Sequence, residues 1–121
     1  MSNRTAEANR AIAEAWQREQ ELVKTGRGTR DWTPAQQQSI LEFGKAYDEN
    51  GKAFEGHHMK SVVRFPNDQG NAGNIQFLSR SEHISAHNGS FLNSTNGYFN
   101  PKTGKQMILE IIHLNPVKLL I

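Results

Sequence analysis

The stretch that decides the reading covers residues 54–87, FEGHHMKSVVRFPNDQGNAGNIQFLSRSEHISAH. Four of the five histidines fall inside it, His57 and His58 adjacent and His83 and His87 four apart. Residues 59–63 read as extended, with Val62 and Val63 β-branched, and residues 66–73 (PNDQGNAG) form a loop rich in turn formers. Residues 75–78 make a short apolar strand. Ser79-Arg80-Ser81-Glu82 is a capping box that opens a helix carrying His83 and His87, and Gly89 is placed to stop it. The order is therefore strand, loop, strand, helix.

A helix brings residues i and i+4 onto one face, so His83 and His87 can hold one metal ion together. A third imidazole from His57 leaves an open coordination position, as catalytic metal sites require and closed structural sites do not. Neighbouring side chains of a strand point to opposite faces, so His57 and His58 need a bend to share a site. Gly56 permits one, and the two histidines then divide the work, one as ligand and one as base. Phosphodiester hydrolysis needs a nucleophile at neutral pH and charge neutralisation on phosphate. An open metal site supplies the second, and an imidazole with a pKa near 6.5 is matched to taking a proton from water. Lys60, Arg64 and Arg80 are candidates for sequence-independent phosphate contacts. No base-reading constellation accompanies them, so little sequence preference is expected.

The rest of the chain reads as scaffold and grip. Its 121 residues bound one domain with a modest core, 36% of residues being hydrophobic. With no cysteine, neither disulfides nor a thiolate zinc site can hold it together. No apolar run approaches membrane-spanning length and the N-terminus is not signal-like, so export is expected by another route or within a larger chain. Residues 1–51 hold seven Lys/Arg against eight Asp/Glu, a balance of −1. Residues 52–121 hold seven against four, a balance of +3, which puts the basic excess with the histidines, as a polyanion-binding surface needs.

Residues 4–24 read as a helix whose apolar positions are Ile12, Ala15, Trp16, Leu22 and Val23. Two glycines make residues 25–30 (TGRGTR) a flexible, solvated connector. Thr33-Pro34-Ala35-Gln36 starts a second helix, with Ile40, Leu41, Phe43 and Ala46 expected in the core. Asn50-Gly51 signals a tight turn that delivers residues 52–55 into the histidine pair. Further turns are expected at Asn96-Gly97 and at residues 101–104, with Tyr98, Phe99 and residues 107–112 forming a strand pair.

Glu55-Gly56-His57-His58, then Asn74, then His83 and His87 resembles the HNH or ββα-metal nuclease motif. The spacing Asn74-x8-His83-x3-His87 is similar to that of the colicin-type DNases. Gly-His-His-Met-Lys-Ser-Val, followed by Asn-Ile-Gln-Phe-Leu, looks still more like the GHH branch found in bacterial polymorphic toxins. Seven positions match across about a third of the chain, and residues 32–101 resemble those toxin domains more loosely. The resemblance implies that His57, His83 and His87 ligate one divalent ion, zinc, nickel or magnesium. It implies further that His58 is the general base, that Asn74 pins the loop so that His58 stays aimed, and that Glu55 orients His57 or His58. The colicin enzymes carry an arginine four residues before this glutamate. Gly51 stands there in this chain, which leaves the partner of Glu55 open.

The expected architecture is α+β, with N-terminal helices packed on a ββα-metal core and a C-terminal strand pair outside it. Within a single domain, residues 1–31 are helix and linker, 32–53 helix and hairpin, 54–89 the core and 90–121 the terminal strands. The expected function is a metal-dependent, largely non-specific DNA endonuclease, monomeric and with no membrane partner. The resemblance implies an antibacterial toxin domain, delivered by a specialised secretion system into the target-cell cytoplasm and held in check by a cognate immunity protein. Two alternatives stand beside it: a zinc-stabilised nucleic-acid-binding module that does no chemistry, and a ribonuclease on the same scaffold.

Overall fold

The computed structural model describes residues 3–61 and 64–108. Among them the fold is α+β, built from three helices and two small antiparallel sheets. Helix α1 spans Asn3–Lys24, α2 Pro34–Phe43 and α3 Arg80–Ala86. Strand β1 (Glu55–His58) pairs with β2 (Ile75–Leu78), and β3 (Gly97–Asn100) with β4 (Lys105–Ile108). Val62, Val63 and residues 109–112 lie outside the described residues.

Strand β2 is buried on both sides, and its period-2 alternation explains how. Ile75 and Phe77 enter the main core, where Ala11, Ala15, Trp16 and Val23 of α1 meet Trp32, Ile40, Ala46 and Phe54. The Trp16 ring stacks on Phe77 at 3.8 Å, and Phe54 meets Trp32 edge-on at 5.0 Å. The other face of β2 turns toward α3 and β3. Leu78 packs there with Ala86 and Phe99, while the Gln76 side chain accepts from the Phe99 amide and donates to its carbonyl. Both buried amide groups of Gln76 are thereby satisfied.

Several local expectations need correcting. Gly56 sits inside β1 opposite Phe77, and a Cβ added there would lie 2.7 Å from Ile12 Cγ1. It is a close-approach glycine that lets α1 lie on β1, and it makes no bend. Residues 25–30 are anchored where a solvated connector was expected. The buried Glu19 carboxylate accepts from the Thr29 amide, the Thr29 hydroxyl and the Trp32 indole N–H, each at 2.7 Å. Arg30 pairs with Glu82 at 2.8 Å and lies 4.8 Å from the Phe54 ring. Ile40 of α2 and Ala46 beyond its end are buried, but Phe43 is 70% exposed and Leu41 is also exposed. A short helix capped at once by left-handed Gly44 offers a single row to the core.

The turn before β1 closes on Gly51 (φ 78°), whose N–H donates to Asp48 O at 3.0 Å. Its arms form a single bridge at Tyr47 and Ala53, flanked by bonds from Asp48 N–H to Lys52 O and from Phe54 N–H to Ala46 O. Asn96-Gly97 makes no turn: Asn96 bridges Lys60 and Gly97 begins β3. Helix α3 opens on the expected capping box of Ser79 and Glu82 but ends at Ala86, with His87 as its C-cap. Asn88 (φ 54°) and Gly89 (φ 91°) then reverse the chain, and the Gly89 amide donates back to Ile84 O.

Candidate metal centre

In an antiparallel pair, residues directly opposite each other share a face. His57 lies opposite Gln76 and Glu55 opposite Leu78, so both project toward α3. There the imidazoles of His57, His83 and His87 form a triangle with ring centroids 5.0, 5.0 and 5.1 Å apart. One nitrogen from each ring lies within 4.8 Å of the others, a spacing that one metal ion can bridge. His87 keeps its i+4 relation to His83 although it caps the helix instead of continuing it.

His57 is 1% exposed, and neither of its ring nitrogens has a hydrogen-bond partner among the described residues. Leaving such a group unpaired costs about 1–3 kcal/mol. The other two rings are oriented from behind. His83 Nδ1–H donates to Glu55 Oε1 at 2.8 Å, and His87 Nδ1–H donates to the Asn93 carbonyl at 2.7 Å. Each therefore keeps Nε2 as its lone-pair nitrogen, the pattern by which metal-binding histidines are fixed in tautomer and direction. Burial, and after it the positive charge that His83, His87 and His58 would carry, lower the His57 pKa to about 2. Burial also lowers that of His83, against the opposing pull of the Glu55 carboxylate. Neutral imidazole is the form that binds metal. The donor set thus fits a divalent ion of nitrogen-binding character.

The structure corrects the expected partner of Glu55, which is His83 and not His57 or His58. Its second oxygen meets Arg80 at 3.4 Å, so the cation that Gly51 does not supply comes from α3. His58 lies on the opposite strand face and outside the three-imidazole cluster. Its Nε2–H donates to the Gln69 carbonyl at 3.1 Å, which leaves Nδ1 as the acceptor. Burial lowers its pKa, the Gln69 bond opposes that, and His83 adds to the lowering. Asn74 is fully buried. Its Oδ1 accepts from the Lys60 amide at 2.8 Å, and its Nδ2 donates to Lys60 O and Asp68 O at 3.0 and 3.3 Å. It ties the loop carrying Gln69 to the chain just past His58.

The three candidate phosphate contacts neighbour two different rings. Lys60 and Arg64 gather around the Phe65 ring at 5.5 and 5.7 Å, while Arg80 lies 4.8 Å from Phe91 beside the histidines. Sequence reasoning passed over Gln69, Asn93 and Phe91. Phe91 sets its ring 4.8 Å from His83 and 5.2 Å from His87. Gln69 and Asn93 meet the imidazoles through backbone carbonyls, which carry no side-chain signature. An aromatic-leucine pair in a polar loop was the only trace that Phe91 left.

A family described as GHH signature containing HNH/Endo VII superfamily nuclease toxin matches residues 4–79. The match takes in Glu55, His57, His58 and Asn74 and stops before α3, so His83 and His87 join the site through the fold. Teneurin-3 of Mus musculus is 39% identical over 74 residues, 60% of this chain and 2% of that protein. Teneurin-3 of Danio rerio is 36% identical over 74 residues (60% and 3%), and Teneurin-4 of Homo sapiens 34% over 74 (60% and 2%). The chain thus spans only 2–3% of the length of these relatives. No helix among the described residues is long and apolar enough to cross a membrane. By the extent of the family match, the chain belongs to the GHH-signature nuclease toxins of the HNH/Endo VII superfamily.

Proposed function

We propose that this protein is a metal-dependent, largely non-specific DNA endonuclease acting as an antibacterial toxin domain, with β1, β2 and α3 as its ββα-metal core. The observation that carries the reading is His57, buried with both ring nitrogens unpartnered among the described residues, facing two histidines whose Nδ1 atoms are already tied. His57, His83 and His87 would hold the ion. When bound, a divalent ion there would neutralise charge on the scissile phosphate and the leaving oxygen. His58 would take the proton of the attacking water at Nδ1, since Nε2–H is committed to Gln69. Asn74 is a positioning residue that keeps the Gln69 loop, and through it His58, in place. Glu55 positions His83, and Lys60, Arg64 and Arg80 would contact flanking phosphates.

His58 stands outside the cluster and has its own partner, which favours an open three-histidine set over a closed structural one. A non-specific nuclease endangers the cell that makes it. A specialised delivery route and an acidic immunity protein fitted to the basic side therefore belong to the same reading. Digestion of plasmid DNA and total RNA side by side, with Mg²⁺, Ni²⁺, Zn²⁺ or EDTA, tests it. Metal-dependent DNA cleavage is expected, and cleavage of RNA alone would assign the scaffold to a ribonuclease.

A further inference from the structure

We propose that Phe91 is a stacking platform for an unpaired base next to the scissile phosphate, so that the preferred substrate is single-stranded or locally melted nucleic acid. The inference rests on the nuclease reading and adds to it the state of the substrate. Phe91 belongs to the loop after α3, and that loop is strapped down. His87 Nδ1–H donates to Asn93 O, Asn93 Nδ2 donates back to His87 O at 2.8 Å, and the Asn93 amide donates to Ser90 O at 3.0 Å. These bonds fix the ring of Phe91 within 4.8 and 5.2 Å of two candidate metal ligands, within one nucleotide of a phosphate held there.

The ring is not there simply to cover the imidazoles. It remains 43% exposed, and Leu92 beside it is 95% exposed, so the pair presents apolar surface to solvent at the mouth of the site. Arg80, itself half-exposed, sets its guanidinium 4.8 Å from the ring centroid. An aromatic face, a neighbouring arginine and a protruding aliphatic residue together suit unstacked nucleotides: the ring stacks one base, the cation meets the adjoining phosphate, and the leucine wedges the step. A paired base inside a duplex offers no free face to such a ring. Strand separation is therefore the feature the platform selects.

The test compares the parent protein with Phe91→Leu, which keeps an apolar wall, and Phe91→Trp, which keeps a stacking face. Zinc binding is measured first in all three and should be equal. Binding is then followed by the fluorescence of single-stranded oligonucleotides carrying 2-aminopurine, in a His58→Ala background. The parent and Trp forms should quench the probe, and the Leu form should lose the quench together with about 5- to 150-fold in affinity, the range of one base–aromatic stack. With His58 intact, the parent should cleave a single strand faster than its matched duplex, and Phe91→Leu should erase that preference. A Leu form that quenches and discriminates like the parent overturns the platform and leaves the nuclease reading standing, as does loss of zinc from the Leu form. Absence of cleavage by the parent with any metal overturns both.

Discussion

Glu55 and His83 are joined across the β1–α3 interface by a 2.8 Å bond from imidazole Nδ1 to carboxylate. The two residues lie 28 positions apart, and the bond settles which nitrogen of His83 is left for a metal. Glu55→Ala should therefore loosen the ring and weaken metal binding about 10- to 100-fold. Glu55→Gln still offers an oxygen to the Nδ1–H and should lose less. Zinc titration calorimetry on the three proteins checks the order. Equal affinities would mean that the carboxylate does not orient His83.

The buried imidazole of His57 predicts acid sensitivity of the metal-free fold. Its pKa is about 2 when folded and near 6.5 when unfolded, so between these values the unfolded chain binds more protons. Stability should accordingly be full above pH 6.5 and fall progressively as the pH drops toward 2. Urea midpoints in EDTA from pH 7.5 to 4 measure this. His57→Leu, with no proton to gain, should flatten the profile while abolishing tight metal binding.

Gly56→Ala should destabilise the fold by about 1–3 kcal/mol, because the added methyl meets the branched side chain of Ile12. Ile12→Ala combined with it should recover part of that loss, giving a non-additive cycle between α1 and β1. Strict additivity in denaturant melts would show that the two elements do not press together there.

The contrast between Gly56 and His57 shows what the sequence could disclose. The second strand, the helix after it, both capping boxes and the histidine spacing were legible because each is a local pattern with a local cause, whereas the first strand runs over Glu55–His58 and not through residues 59–61. Ser79 caps because Glu82 is three residues on, and His83 meets His87 because a helical turn puts them together. The role of Gly56 was misread as a bend because its neighbour, Ile12, lies 44 positions away and only tertiary packing reveals it. The same holds for Arg30, drawn out of an apparent linker by Glu82 and Phe54, and for the backbone carbonyls of Gln69 and Asn93. A period-2 alternation also sets His58 on the face of β1 opposite His57 and outside the three-imidazole cluster.

The account stands on a division between histidines that hold metal and one that moves a proton. The most direct measurement is plasmid nicking by the parent and by His58→Ala, each loaded with the same ion and with its metal content determined. The account predicts that His58→Ala retains its metal and loses about 10²- to 10⁴-fold in cleavage rate. In the parent, activity should fall on acidification only below pH 6.5, since burial lowers the His58 pKa and the base must be neutral. Loss of metal together with activity in His58→Ala would contradict it and make His58 a fourth ligand of a closed site.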